Sequence, residues 1–319
     1  MTDRIANHIP PKQDITAFFR AQLTEWPLAA QNYAALKDVQ TKEFNIEGFT
    51  VRVQFNPARI RSSAAKVDAK SIEERKCFLC QANRPPEQRA LPFGDEYQIL
   101  VNPYPIFPLH LTIPSINHTE QFIFGRYGDM LDLAETLEDF VVFYNGPCCG
   151  ASAPDHLHFQ AVGKGTLPLQ EDIRTVSRNL IGSDDSSICY SLENYLRAVF
   201  VIESTDKRKS VALFNRLYSQ LEVKAGELEP MLNIVSWYDA GKWRSCIFLR
   251  EVHRPQCFYA ENAQNILISP ASVDMSGVFI VPQKKDFEKI GKEHIEAILK
   301  EVSIGKEKLN IVTDKFKLL

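Results

Sequence analysis

Hydrophobic and polar positions along the chain change repeatedly between a helical and an extended pattern. Helical spacing covers DITAFFRAQL, DMLDLAETLEDF, SVALFNRLYSQL and DFEKIGKEHIEAILKEV. Strand-like segments are FNIEGFTVRVQF, EYQILVNPYP, HLTIPS and VVFYN and, after about residue 166, RAVFVIE, LNIVSWYD, RSCIFLR and GVFIVP. Short turns join adjacent strands, which favours antiparallel sheets over βαβ units. The pattern therefore predicts an α+β fold of two similar halves, residues 1–165 and 166–319, with antiparallel sheets flanked by helices.

One strand differs from the others in its polar positions. In APDHLHFQAV, residues 153–162, polar and apolar side chains alternate. Alternate side chains of an extended chain point to opposite faces, so His156, His158 and Gln160 share one face and the apolar side chains the other. An ordinary half-buried strand carries scattered Thr, Ser, Lys or Glu on its wet face, whereas this strand concentrates two imidazoles and an amide. We therefore predict a chemical site on this face.

Composition narrows the class of protein. The 319 residues are 45% hydrophobic and 24% charged, which is typical of a soluble globular protein. A formal net charge of −3 argues against nucleic acid or an anionic membrane as partner. The start of the chain lacks the apolar region of a signal peptide, so we expect a cytoplasmic protein. The seven cysteines are then reduced thiols or metal ligands.

A metal site is the first chemical hypothesis. Cys77 and Cys80, in KCFLCQAN, have the C-x-x-C spacing with which two thiolates bind one tetrahedral ion. One pair is half of a zinc site, and the best donors for the other half are His118 and His156. His110 is the reserve candidate. The alternative is that the cysteines are small buried hydrophobes and His118 an ordinary loop histidine.

A nucleophilic site is the second hypothesis. If His156 binds a metal, His158 lies one pleat further along the same face and is free to act as base or nucleophile. Gln160 offers an amide that can donate to a phosphoryl oxygen as its charge builds up. The turn NGPCCGAS supplies Gly146 and Gly150, whose N–H groups could line an anion pocket. The alternative interpretations are that His158 is a hydrogen-bonded core histidine and that NGPCCGAS is an ordinary turn.

Three stretches of the amino half together carry a family resemblance: CFLC, NPYPIFPLHLTIPSINH and YNGPCCGASAPDHLHFQ. They resemble the histidine triad superfamily, and within it the branch of galactose-1-phosphate uridylyltransferases (GalT) and dinucleoside-polyphosphate phosphorylases. The resemblance spans roughly residues 45–165. In that branch the motif is His-Pro-His-x-Gln, and its second histidine becomes covalently nucleotidylated. His156, His158 and Gln160 match this motif, with Leu157 in place of the proline.

The resemblance also implies roles for other residues. The zinc ligands of the bacterial uridylyltransferases fall on Cys77, Cys80, His118 and His156. The family's phosphate-binding arginine resembles Arg59, its nucleotide-side asparagines resemble Asn102 and Asn145, and its Gly-x-Ser resembles Gly150 with Ser152. One residue, Asp155, is inserted between Ser152 and the histidines relative to the family's motif.

The carboxyl half carries a second resemblance. WRSCIFLREVHRP and LISPASVDMSGVFIVPQKKDFEKI resemble the end of GDP-hexose phosphorylases, which also share HLHFQA. The second repeat of the uridylyltransferases has a His-x-His pair for another metal, whereas the corresponding strand, NIVSWYDAGKW, has no histidine. We therefore expect no second metal. Arg250, His253 and Arg254 either contact a substrate phosphate or form a solvated basic turn.

Together the resemblances imply an enzyme that transfers a nucleotidyl group by double displacement through His158, with Arg59, Ser152 and Gln160 stabilising the equatorial oxygens. The expected substrate is a nucleoside diphosphate sugar or a dinucleotide. The acceptor is phosphate in a phosphorylase, which the carboxyl half favours, hexose 1-phosphate in a transferase, or water in a hydrolase. One structural zinc is the expected cofactor, and a homodimer is compatible with the sequence. The alternatives are a non-catalytic nucleotide- or sugar-phosphate-binding protein and a zinc hydrolase, which four protein ligands would disfavour.

Overall fold

The computed structural model of the protein describes residues 12–60 and 68–317. Its strands form two β-sheets. The small sheet contains β1 (Gln40–Ile46), β2 (Phe49–Phe55) and β13 (Val278–Val281). The large sheet contains β3 (Leu91–Phe93), β4 (Tyr97–Val101), β5 (His110–Pro114), β6 (Phe140–Asn145), β7 (His158–Gly163), β8 (Arg178–Ser183), β9 (Ser187–Leu192), β10 (Val199–Ser204), β11 (Leu232–Asp239) and β12 (Lys242–Leu249).

Helices connect and cover these strands. The longer helices of the described residues are Lys12–Glu25, Tyr127–Thr136, Lys207–Tyr218, Lys292–Val302 and Lys306–Lys317. The shorter ones are Pro27–Ala34, Ala69–Glu74, Leu169–Thr175, Gln256–Tyr259, Ser272–Met275 and Lys284–Lys289. Helix Lys207–Tyr218 begins where the carboxylate of Asp206 accepts hydrogen bonds from the N–H groups of Arg208 and Lys209, which satisfies two donors of its first turn.

The strand order of the large sheet contains an internal repeat. The order is β3-β4-β5-β7-β6-β11-β12-β10-β9-β8, and every neighbouring pair is antiparallel. In each half three strands run in sequence, a helix follows, and the last strand inserts between the third and fourth. The halves join where β6 pairs with β11. The fold is therefore α+β with two similar halves, while the division at residue 165 stays a prediction.

Different partners bury the two faces of the large sheet. Phe159 and Ala161 face the helices that start at residues 12, 127, 207 and 306. Val162 faces the small sheet and helix Lys292–Val302. Phe143 also faces the small sheet, and Gln160 pairs with it across β6 and β7. Because paired residues share a face, Gln160 and His158 lie on the side of the small sheet.

Four predictions differ from the structure. FNIEGFTVRVQF is not one strand but the hairpin of β1 and β2, because Glu47 and Gly48 have φ values of 49° and 93° and reverse the chain. The predicted helix DFEKIGKEHIEAILKEV is two helices separated at residues 290–291, where the extended Gly291 caps the second helix. The sheets were predicted to be antiparallel, whereas strand β13 pairs with β2 in parallel. NIVSWYDAGKW is not the counterpart of the motif strand: most of it belongs to β11, which corresponds to β6, whereas the strand that corresponds to β7 is β12.

Candidate functional site

A cleft of about 890 Å³ opens beside the first residue of β7. The structure brings all predicted catalytic and substrate-binding residues to it, namely Arg59, Asn102, Asn145, Gly150, Ser152, His158 and Gln160. The carboxyl half also lines the cleft, through Ser269, Ala271, Val273, Asp274 and Ile280. The sequence analysis gave these residues no role in the site, since the parallel pairing of β13 with β2 brings them there. Both halves therefore build the cleft.

His158 is the candidate nucleophile and is 3% exposed. Its Nδ1 lies 2.8 Å from the carbonyl oxygen of His156. A carbonyl only accepts hydrogen bonds, so Nδ1 carries the proton and Nε2 has the lone pair. Burial lowers the pKa of His158 to about 4, so that its imidazole is neutral near pH 7. The nitrogen left for a ligand is therefore unprotonated.

A buried glutamine holds the backbone of His158. Gln121 is 0% exposed, and its Oε1 accepts a hydrogen bond of 2.8 Å from the His158 N–H. Its Nε2 donates to the carbonyl oxygens of His158, at 3.1 Å, and Asn145, at 2.8 Å. The direct pairing of β6 with β7 ends at Phe143 and Gln160, so the carboxamide of Gln121 replaces the next ladder bonds. Sequence reasoning missed Gln121 because a single loop glutamine carries no motif.

Two other carboxamides, those of Gln160 and Asn145, line the cleft with their oxygen atoms already hydrogen-bonded. The Oε1 atom of Gln160 lies 2.9 Å from Nε2 of His110. The Oδ1 atom of Asn145 accepts from the N–H of Ser272, at 2.8 Å, and from the amide of Asn233, at 3.0 Å. The NH₂ ends are thus left for a ligand, and they suit phosphoryl oxygens, which only accept.

Arg59 and Asn102 meet at one loop of the cleft. Arg59 donates from Nη1 to the carbonyl oxygen of Tyr104 at 2.8 Å, and its Nε is buried with no hydrogen-bond partner among the described residues. Burial lowers the pKa of Arg59 to about 10, so it is charged at neutral pH. Asn102 accepts from the Tyr104 N–H and donates to Thr112, both at 2.9 Å. Each end of its amide therefore has a protein partner, and Asn102 braces the loop that Arg59 contacts.

Arg250 is a structural residue of the carboxyl half. It is 3% exposed and donates to the side-chain oxygen of Asn233 at 2.6 Å and to the carbonyl oxygen of Pro270 at 2.9 Å. Its remaining donors bind the carbonyl oxygens of Val302, Val252 and His253. Both sequence-based interpretations of Arg250 are therefore wrong: it is neither solvated nor available to a substrate, and it fixes Asn233, which in turn holds Asn145.

The predicted metal ligands lie together at a second point near the start of β7. One ligand atom from each of Cys77, Cys80, His118 and His156 lies within 4.8 Å of the others. The Cys77 sulfur is 3.3 Å from Nδ1 of His156, and the Cys80 sulfur is 3.2 Å from Nδ1 of His118. Two thiolates and two imidazoles at these separations fit one tetrahedral ion. The group could therefore hold a metal.

Neighbouring groups favour metal binding by these side chains. Nε2 of His156 lies 2.9 Å from the carbonyl oxygen of Ser115, so Nε2 carries the proton and Nδ1 is left for an ion. Burial opposes ionisation of Cys77, but its contact with His156 and hydrogen bonds from backbone N–H groups outweigh it and lower its pKa to about 6. The inserted Asp155 lies 3.9 Å from Nε2 of His118 and forms an ion pair with Arg75.

His110 does not belong to this cluster. Of the described residues, those that group as metal ligands here are the four above. His110 is fully buried, and its Nε2 contacts Gln160 instead. Its use as a reserve ligand is therefore wrong, because β5 pairs His110 with Val162, at the far end of β7 from His156.

Two family models match the chain. Residues 18–163 match a domain of unknown function, DUF4922, and residues 173–317 match the GDPGP1-like, C-terminal domain. The crystal structure of yeast Ap4A phosphorylase Apa2 superposes with a TM-score of 0.55 and 17% identity, over 87% of this chain and 94% of that chain. The chain therefore has the histidine-triad-like fold of this phosphorylase.

Further structures of Apa2 agree with this fold. Its complex with Ap4A has a TM-score of 0.54 and 15% identity, over 88% of this chain and 97% of that chain. Its complex with AMP has a TM-score of 0.53 and 16% identity, over 89% of this chain and 96% of that chain. Comparison with curated proteins gives no match. Within residues 12–60 and 68–317, no helix combines the length and apolar character needed to cross a bilayer.

Proposed function

We propose that this GalT-like protein transfers a nucleotidyl group through a covalent adduct on His158. The observation that carries the proposal is the buried His158, whose Nδ1–H is held by the His156 carbonyl beside a cleft lined by the amides of Gln160 and Asn145. A neutral imidazole with a free Nε2 is a good nucleophile towards phosphorus. Amide donors with occupied oxygens would stabilise the charge that builds up on the phosphoryl oxygens.

The first step forms a P–N bond between Nε2 of His158 and the α-phosphorus. The bond from that phosphorus to the bridging oxygen breaks, and a sugar phosphate or a nucleotide leaves as an anion that needs no added proton. In the second step an oxygen of the acceptor attacks the same phosphorus and the P–N bond breaks. Arg59 and Ser152 would bind phosphate oxygens in both steps, since both line the cleft with His158.

We propose a nucleoside diphosphate sugar or a dinucleotide as substrate. The cleft volume of about 890 Å³ lies in the upper part of the range for small-molecule sites and suits a ligand with two large parts. Apa2 is an Ap4A phosphorylase with structures in complex with Ap4A and AMP, and residues 173–317 match the GDPGP1-like domain. These likenesses favour inorganic phosphate as the acceptor over hexose 1-phosphate.

We propose zinc as the ion of the Cys77, Cys80, His118 and His156 group. Two thiolates and two imidazoles suit zinc, and four protein ligands leave no position for a reactive water. The ion would contribute by fixing the segment before β7, since His156 is two residues from His158. This favours a structural role over that of a zinc hydrolase.

The test of the acceptor uses the isolated nucleotidylated protein. Millimolar phosphate and hexose 1-phosphate are offered separately, and loss of the adduct is followed by intact mass. Discharge by phosphate is the expected result. Discharge by hexose 1-phosphate alone would assign the protein to the transferases, and spontaneous loss in water would assign it to the hydrolases. Tight nucleotide binding without any adduct would favour a non-catalytic binding protein, for which the free donors of the cleft would also suffice.

A further inference from the structure

The amide of Gln160 has its oxygen held by a buried histidine, His110. The backbone N–H of Ile106 donates to Nδ1 of His110 at 3.3 Å, so this nitrogen has no proton. The proton of the neutral ring is then on Nε2, which lies 2.9 Å from Oε1 of Gln160. A backbone donor thus fixes the tautomer of His110, and this tautomer makes His110 a hydrogen-bond donor to Gln160.

This hydrogen bond selects one of the two orientations of the Gln160 amide. In the observed orientation Oε1 accepts from His110, and the NH₂ end has no hydrogen-bond partner among the described residues. The opposite orientation would place the NH₂ group against the Nε2–H of His110, with donor facing donor and both desolvated. An unmade hydrogen bond between buried groups is costly, so the observed orientation is strongly preferred.

We propose that His110 is a positioning residue that holds Gln160 with its NH₂ end towards the phosphoryl group, so that Gln160 acts as a donor throughout the reaction. The proposal rests on the nucleotidyl transfer proposed above. Asn145 has the same arrangement, since its oxygen is occupied by Ser272 and Asn233. His110 is fully buried on β5, and it acts on the reaction only through Gln160.

The test compares two amide replacements of His110. In His110→Gln the side-chain NH₂ reaches the position of Nε2 and can still donate to Gln160. In His110→Asn the side-chain oxygen reaches the position of Nδ1 and can still accept from Ile106, but no donor reaches Gln160. Both variants remove the ring and differ from each other by one methylene, so each controls for the loss of the ring in the other.

The readout is the single-turnover rate of adduct formation on His158, measured by intact mass. We expect His110→Asn to lower this rate about 100-fold, as loss of one oriented donor does, and His110→Gln to stay within about 10-fold of the wild type. The double variant His110→Asn with Gln160→Ala should be no slower than Gln160→Ala alone. Equal rates in the two amide variants, or an additive effect in the double variant, would overturn the proposal.

A second measurement is independent of the activity. Nitrogen-15 NMR of histidine-labelled protein identifies the protonated ring nitrogen of His110, with His110→Gln used for assignment. We expect a proton on Nε2 over the pH range in which the protein is folded, and a proton on Nδ1 would overturn the proposal. Failure of the wild type to form any adduct would count against the proposed function. The NMR measurement of the tautomer would still decide whether His110 donates a hydrogen bond to Gln160.

Discussion

Replacement of Gln121 by Ala should damage both stability and chemistry, because this carboxamide links β6 to β7 at His158. It makes three hydrogen bonds, with the N–H and carbonyl of His158 and with the carbonyl of Asn145. At about 1 kcal/mol for each bond, Gln121→Ala should lower the free energy of unfolding by about 3 kcal/mol. The freed groups would also let His158 and Asn145 change their separation, so the adduct should form at least 10-fold more slowly.

Gln22→Ala is the matched control. Gln22 is also 0% exposed, and its carboxamide makes two hydrogen bonds, with the carbonyl oxygen of Glu87 and the N–H of Arg89, both at 3.0 Å. The control should lose about 2 kcal/mol and keep the wild-type rate of adduct formation. Urea unfolding followed by circular dichroism gives the stability, and intact mass gives the rate. A loss below about 1 kcal/mol in Gln121→Ala, or equal rates in both variants, would refute this reasoning.

Three further predictions concern the metal, a buried carboxyl group and a close contact. Elemental analysis should find about one zinc per chain, and the double variant of Cys77→Ser and Cys80→Ser should lose it and unfold at a lower temperature. Burial raises the pKa of Glu229 to about 7 from 4.5, so the folded protein keeps a proton that the unfolded chain releases. The free energy of unfolding of the wild type should therefore decrease as the pH rises from about 4.5 to 7. Urea titrations at several pH values should show that Glu229→Gln removes up to about 3 kcal/mol of this decrease. Gly150 has a φ of 94°, and an added Cβ would lie 2.5 Å from Cβ of Ala271, so Gly150→Ala should cost about 2 kcal/mol or more in urea unfolding and slow adduct formation.

The sequence predicts those parts of the site that depend on local patterns. The alternation around His158 correctly places Phe159 and Ala161 in the core and Gln160 on the opposite face. The residues selected for metal binding and for the cleft also lie together, although their roles stay predictions. A strand's period of two and a short C-x-x-C spacing are properties of a few residues, so they can be read without knowledge of the tertiary structure.

The parts that sequence reasoning missed depend on pairings between distant segments. Asp274 reaches the cleft because β13 pairs with β2, and Asn233 reaches Asn145 because β11 pairs with β6. His110 was a reserve metal ligand because its residue type fits a metal, and the register of β5 against β7 was needed to place it beside Gln160. No local pattern reports these registers.

The most direct test of the account is the location of a nucleotidyl group on the protein. The protein is incubated with a panel of nucleoside diphosphate sugars and dinucleotides, and the adduct is located by intact mass and peptide mapping. His158→Asn is the control, since its amide can keep the hydrogen bond to the His156 carbonyl but has no nucleophilic nitrogen. The account predicts one nucleoside monophosphate on His158 of the wild type and none on the variant. Turnover of a substrate without an adduct, or an adduct on another residue, would contradict it.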